Sequence, residues 1–297
     1  MKKTLIATVM AGLALSACGG GDDSSTSAAS GPAIRLKYSG APLVATQRAR
    51  AMAAATDVSS AVPALGASAG DAQPTIAALQ DAFKARGADI GVYPGVVNGT
   101  KLHDIVMAEN GGVGPTQDEI YASKVSISSW TLINFEYDDM SGYIDTPEKK
   151  AVADQFANDL RVFAGREYLK GNVVFAARPI VSCLPDKVSS TPDAGGYYRE
   201  YMPASRALYN AISAMGSGGS GLIAIGGILT TEPAHMGGGC ETPDQAMRDA
   251  HLASIVDPLV ERYKVALDTI NKCKYNPEAI PEDGRSAQCW GIEPVKK

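Results

Sequence analysis

Three consecutive stretches decide the architecture: WTLINFE at residues 130–136, TPEKKAVADQFANDLRVFAG at residues 146–165 and NVVFAARP at residues 172–179. The first and third are short runs, apolar on both faces, as strands must be when helices cover a sheet from both sides. The middle stretch opens on Thr146, Pro147 and Glu148, a helix start signal, and sets Val152, Phe156, Leu160 and Phe163 on one face. Strand, helix, strand in that order makes a parallel unit with a right-handed crossover. Outward from it, the same alternation predicts strands at 89–93 and 221–227 and helices at 74–86, 116–123 and 199–215. A stripe through Leu252, Ile255, Val256, Leu259, Tyr263, Leu267 and Ile270 predicts a long final helix, with Asp257-Pro258 as the one place where it could split. Residues 33–60 stay unassigned: 34–44 fits one more strand, and 45–55 has a helical but weakly apolar pattern. The expected fold class is α/β, a three-layer α/β/α sandwich with a mainly parallel sheet and ligands outside the carboxyl ends of its strands.

The chain has 297 residues, 45% of them apolar and 20% charged, with a formal net charge of −5. Such a composition excludes a disordered or collagen-like protein. An acidic chain without a Lys/Arg block offers no broad nucleic-acid surface. GSGGSG at 216–221 precedes a predicted strand rather than following one, the wrong order for a dinucleotide loop, and no cofactor is expected.

Lys2 and Lys3 are followed by an apolar run from Leu5 to Leu15, too short to span a bilayer core about 30 Å thick, which reads as an export signal. Leu15-Ser16-Ala17-Cys18 resembles the lipobox of bacterial lipoproteins. The resemblance implies cleavage after residue 17 and lipid attachment at Cys18, anchoring the protein in the bacterial cell envelope. Gly19 after the cysteine implies the outer membrane. Residues 1–17 are then the signal peptide, 18–33 a lipidated cysteine with a flexible tether of roughly 20 Å reach, and 34–297 a single domain. Cys183, Cys240, Cys273 and Cys289 are an even number in an exported chain and predict two disulfides. Three pairings are open; Cys183 with Cys240 and Cys273 with Cys289 is preferred, because the second would pin a tail of low apolar content. No C-x-x-C spacing occurs, so no metal site is expected.

Four places could carry chemistry. Gly66-Ala67-Ser68-Ala69-Gly70 supplies a serine among small neighbours, as a tight turn exposing a nucleophilic Oγ beside backbone N–H groups requires. Asn98-Gly99-Thr100 could offer a second N–H at the same sheet edge. Asn134 to Asp139 (NFEYDD) stands at the end of a predicted strand, where Asn134 and Asp138 could face a substrate; a calcium site through Asp138, Asp139 and Asp145 lacks a recognised spacing. Asp249-Ala250-His251 supplies a histidine base with a carboxylate beside it. His235, three residues after Glu232, is the second candidate base, and His103 lies beside Asp104 among helical residues.

In this order the pieces resemble the SGNH (GDSL-like) hydrolase family over about residues 61–271. The resemblance implies a flavodoxin-like sheet, Ser68 as nucleophile, Gly99 and an asparagine as oxyanion donors, and the late His251 as base with Asp249 as its orienter. Three residues depart from the family pattern. Ser68 follows Gly-Ala instead of Gly-Asp, Asp138 stands where the asparagine belongs, and Asp249 precedes His251 by two positions instead of three. The α/β-hydrolase family, which shares G-x-S-x-G, ranks lower because its nucleophile follows several strands. The expected function is an envelope-anchored SGNH-like serine hydrolase cleaving a small-molecule or glycan ester through an acyl-enzyme. The alternative is a catalytically inactive SGNH-fold lipoprotein that binds a glycan or small ligand, with Tyr197, Tyr198 and Tyr201 as an aromatic platform.

Overall fold

The computed structural model describes residues 31–44, 73–96, 100–137, 141–217 and 221–295. The elements, in order, are β1 (Ile34–Gly40), α1 (Gln73–Ala85), β2 (Ile90–Pro94), α2 (Leu102–Ala108), α3 (Gln117–Ala122), β3 (Ser126–Asn134), α4 (Pro147–Leu169) and β4 (Asn172–Ala177). They continue with β5 (Lys187–Pro192), β6 (Tyr198–Tyr201), α5 (Ala204–Ser217), β7 (Leu222–Ile225), β8 (Met236–Gly237), β9 (Thr242–Pro243), α6 (Gln245–Tyr275) and α7 (Glu282–Gln288). The central sheet has the order β2-β1-β3-β4-β7, with every neighbouring pair parallel. α1 and α6 cover one face, packing Leu79, Phe83, Ile255 and Leu259 onto Leu36, Trp130 and Phe175. α2, α4 and α5 cover the other, packing Val106, Leu160 and Leu208 onto Ile133, Val174 and Leu222. This is a three-layer α/β/α sandwich with the strand order of flavodoxin-like sheets, in which the order reverses between β1 and β3 and a crevice opens above that point.

β1 occupies the central position although its sequence, IRLKYSG, is broken by two cations. Both are neutralised locally. Arg35 lies 4.6 Å from the Tyr93 ring centroid on β2, and Lys37 donates to Glu167 of α4 at 2.6 Å. Glu167 also accepts from Thr131 on β3 at 2.9 Å and from Asn172 at the start of β4 at 3.0 Å, so one buried carboxylate ties three strands to one helix.

Two expected elements differ. The helix expected at 199–215 starts at Ala204, because Pro203 forces the preceding residue into an extended conformation, and Tyr198–Tyr201 instead pairs with β5 as an exposed hairpin. The split at Asp257-Pro258 does not occur. α6 runs unbroken through Pro258, since the one hydrogen bond the proline removes is outweighed by burial of Ile255, Val256, Leu259 and Val260 against the sheet. Residues 45–55 lie outside the described residues.

The C-terminal half carries two disulfides, Cys183–Cys240 and Cys273–Cys289. The second joins the last turn of α6 to the end of α7, and Ile280 and Ile292 on either side of α7 are buried in the α6 face of the core. Among the described residues no helix is long and apolar enough to cross a membrane.

Burial pushes the Glu167 carboxyl up, but the hydrogen bonds and charge of Lys37, with Thr131 and Lys170, outweigh it and hold the group below the usual carboxylate range. A depressed carboxyl stabilises the fold above its unfolded value, and that contribution disappears as pH falls through the folded one. Glu167→Gln is therefore expected to cost about 2 kcal/mol in urea unfolding at pH 7, from hydrogen bonds to a charged acceptor, with the gap to wild type narrowing towards pH 3.

Candidate active site

The carboxyl end of β1 is closed by a set of bonds to β3. Tyr38 is buried, its hydroxyl kept protonated by burial, and it donates to the carbonyl of Ala41. Asn134, the last residue of β3, donates through its amide to the same carbonyl at 2.9 Å and to the Tyr38 hydroxyl at 3.3 Å, while its own carbonyl accepts from Ala41 N–H at 2.7 Å. Gly40 lies between them at φ +131°, where a Cβ would overlap the Asn134 backbone. The amide that sequence pattern offered as an oxyanion donor is thus engaged in holding the turn after β1. Ser68, Asn98, Gly99 and Asp138 lie outside the described residues, as does the lipidation position Cys18.

Beyond β3, Phe135 and Tyr137 continue into the α4-side core, edge to Phe163 and Phe156, which explains why the apolar pattern outruns the strand. Glu136 between them points the other way along the chain's alternation, towards Arg248 on the first turns of α6. Burial raises the Glu136 carboxyl and the Arg248 charge opposes the rise; burial likewise lowers the Arg248 guanidinium, against the charges of Glu136 and Asp244.

The segment from β7 to α6 completes this edge. Gly226 and Gly227 leave β7 at φ +62° and +92°, turns that let the chain pass Ile255 and Arg178 without a side chain in the way. A single 3-10 turn, Pro233–His235, leads into the β8–β9 hairpin, and Asp244 caps α6 by accepting Met247 N–H at 2.8 Å. The other Asp244 oxygen meets His235 Nδ1 at 2.8 Å, and Asp244 N–H donates to the His235 carbonyl at 2.9 Å. The Asp244 hydrogen bond and charge, then Glu232, raise the His235 pKa; His235 in turn, with Met247 N–H, lowers that of Asp244. His235 Nε2 has no partner among the described residues, and the side chain is 45% exposed. Two ties hold the hairpin: the Cys183–Cys240 disulfide to the loop after β4, and Glu241 accepting Gly142 N–H from the loop before α4.

The other histidines are placed differently. His251 is buried in the second turn of α6, and Nε2–H donates at 2.7 Å to the carbonyl of Arg178 beyond β4, which fixes the neutral tautomer. Burial lowers its pKa despite that bond. Asp249 is exposed and accepts from Gln245 at 2.7 Å, one turn earlier on the same helix. His103 Nδ1 meets the buried Asp159 at 2.9 Å, between α2 and α4. Asp145 stands 3.8 Å from both Lys149 and Lys187, and among the described residues no group of acids, histidines and cysteines is placed to hold a metal. Tyr198 and Tyr201 are three apart on β6 and so face opposite sides of the hairpin, with Tyr197 in the turn before it.

Asp244 and Arg248 were not among the residues the pattern singled out. Asp244 has the sequence signature of a helix cap, and its nine-residue separation from His235 matches no motif; only the fold shows that one carboxylate does both tasks. No family model, curated protein or solved structure matches the chain.

Replacing Asp244 by Asn keeps a helix cap but removes the charge facing His235. In histidine NMR titrations, His235 of the wild type is expected to titrate above the ordinary value of about 6.5, to return towards it in Asp244→Asn, and His251 to titrate below it in both.

Proposed function

We propose that this chain is an SGNH-like serine hydrolase of the cell envelope, anchored through Cys18, in which Ser68 attacks a carboxylic ester and His235, oriented by Asp244, is the proton shuttle. The observation that carries this reading is the His235–Asp244 pair on the connection between the last strand and the last helix, at the carboxyl edge of a flavodoxin-like sheet. A general base needs a free ring nitrogen and a partner that fixes its tautomer. His235 combines both, whereas Nε2 of His251 is committed to a backbone carbonyl. The chain order, serine first and histidine late, is that of the family the sequence resembles, with the orienting carboxylate after the histidine instead of before it.

In the first step Ser68 Oγ bonds to the acyl carbon as His235 Nε2 takes its proton. Collapse of the tetrahedral intermediate breaks the ester C–O bond, and the imidazolium returns the proton to the departing alcohol. Water then repeats the sequence on the acyl-enzyme. Asp244 stays ionised and stabilises the imidazolium.

The test is labelling of the full-length protein with a fluorophosphonate probe. Labelling is expected in the wild type and in His251→Gln, and a fall of at least about a hundredfold is expected in Ser68→Ala and His235→Ala. Because the base must be unprotonated and its pKa is raised, the labelling rate is expected to climb with pH through a midpoint above 6.5 and to shift downwards in Asp244→Asn. Absence of labelling in folded wild type favours a ligand-binding envelope lipoprotein instead.

A further inference from the structure

On the opposite side of the sheet from α4, the coverage by α1 and α6 leaves an opening. Two helices roof five strands there, and α6 lines the opening from Pro258 to Thr269. The cavity measures about 640 Å3, within the range of small-molecule sites. Its floor is Ile127 from β3 and Val173 from β4, both half-buried, lying over the buried rings of Trp130 and Phe175; Val265 and Ala266 of α6 form the wall. Trp130 is locked in place, its indole N–H donating to Ile127 O at 2.8 Å and its ring set edge to face with Phe175 at 5.1 Å.

One charged group inside this lining is unspent. Glu261 is taken by Lys264 at 2.7 Å, one turn along the helix. Arg262 has no carboxylate partner among the described residues, and its guanidinium stands 5.7 Å from the Phe175 ring centroid. A guanidinium held against an aromatic face keeps its in-plane N–H groups available and matches a carboxylate in two-point fashion. Thr269 and Gln288 add neutral polar groups to the same lining. The remaining surface is predominantly apolar and accepts only a hydrocarbon body.

We propose that this cavity is a binding site for a monocarboxylic acid with an apolar tail, its carboxylate on Arg262 and its chain along Ile127, Val173 and Ala266, within quenching range of the buried Trp130. The site is built from β3, β4, α6 and the end of α7 and does not depend on the catalytic reading of the carboxyl edge. A single cation selects one carboxylate, and the apolar floor excludes short hydrophilic acids. A neutral alcohol of the same length would leave the guanidinium unsatisfied.

The probe is decanoate, followed in a Trp290→Phe background so that Trp130 alone reports. Saturable quenching by a bromine-substituted decanoate is expected below the concentration at which the acid forms micelles. Affinity is expected to fall about tenfold in Arg262→Gln, to be only partly restored in Arg262→Lys, and to be lost in Ala266→Phe, which fills the cavity. Circular dichroism verifies that each variant is folded, and decanol is expected to bind at least about tenfold more weakly than decanoate. Absence of saturable quenching in the folded protein overturns the proposal. So does equal binding of decanol and decanoate with no effect of Arg262→Gln, or a concentration-dependent dimer that buries this face and takes up no decanoate.

Discussion

The carboxyl edge depends on how β1 ends against β3. Parallel strands give slanted, evenly spaced hydrogen bonds and no intrinsic stop. Here the ladder closes on a three-way lock in which Asn134 binds both polar groups of the Ala41 backbone and the Tyr38 hydroxyl caps the same carbonyl. Buried polar groups are tolerable only when fully satisfied, and this set satisfies itself. The turn after β1 is therefore held by bonds among residues of the sheet itself. Gly40 makes the close approach possible, since any side chain there would meet the Asn134 backbone.

The two late histidines show how environment gives one side chain two opposite settings. Sixteen positions apart on the same stretch of chain, they are both hydrogen-bonded and differ in what surrounds the bond. His251 lies against the packed sheet, where burial disfavours its charged form, and it ties α6 to the backbone beyond β4. His235 stands in solvent beside a carboxylate that favours its charged form. Asp244 is the economical element: one oxygen starts the helix and the other sets the ring. The cap that begins α6 thereby fixes the position of His235 relative to the sheet the helix covers.

Much of the sandwich was legible because its strands and helices keep a single period. The runs at 130–136 and 172–179 and the amphipathic stretch between them fold as the pattern requires, with boundaries moved by a few residues. β1 was harder to read since Arg35 and Lys37 disguise a strand buried at the centre of the sheet; their partners, Tyr93 and Glu167, are remote in sequence. The hairpin at Tyr198 was hidden for a different reason, its residues having helical spacing that only Pro203 contradicts. At the site, composition narrowed the base to three histidines, but the choice among them turned on burial and on a carboxylate nine residues away, neither of which is written in local pattern.

The roof of the N-terminal strands comes from the far end of the chain. Leu36, Ile90 and Phe83 share their core with Ile255, Val256 and Leu259 of α6, the longest helix among the described residues. During synthesis, β1, β2 and α1 emerge with an apolar surface that stays open until more than 150 further residues have followed. Contacts of such long sequence separation form late and slowly. A chain stopped before residue 245 would present that surface to proteases and to other chains, so completion of α6 is the event that converts a sticky intermediate into a closed domain.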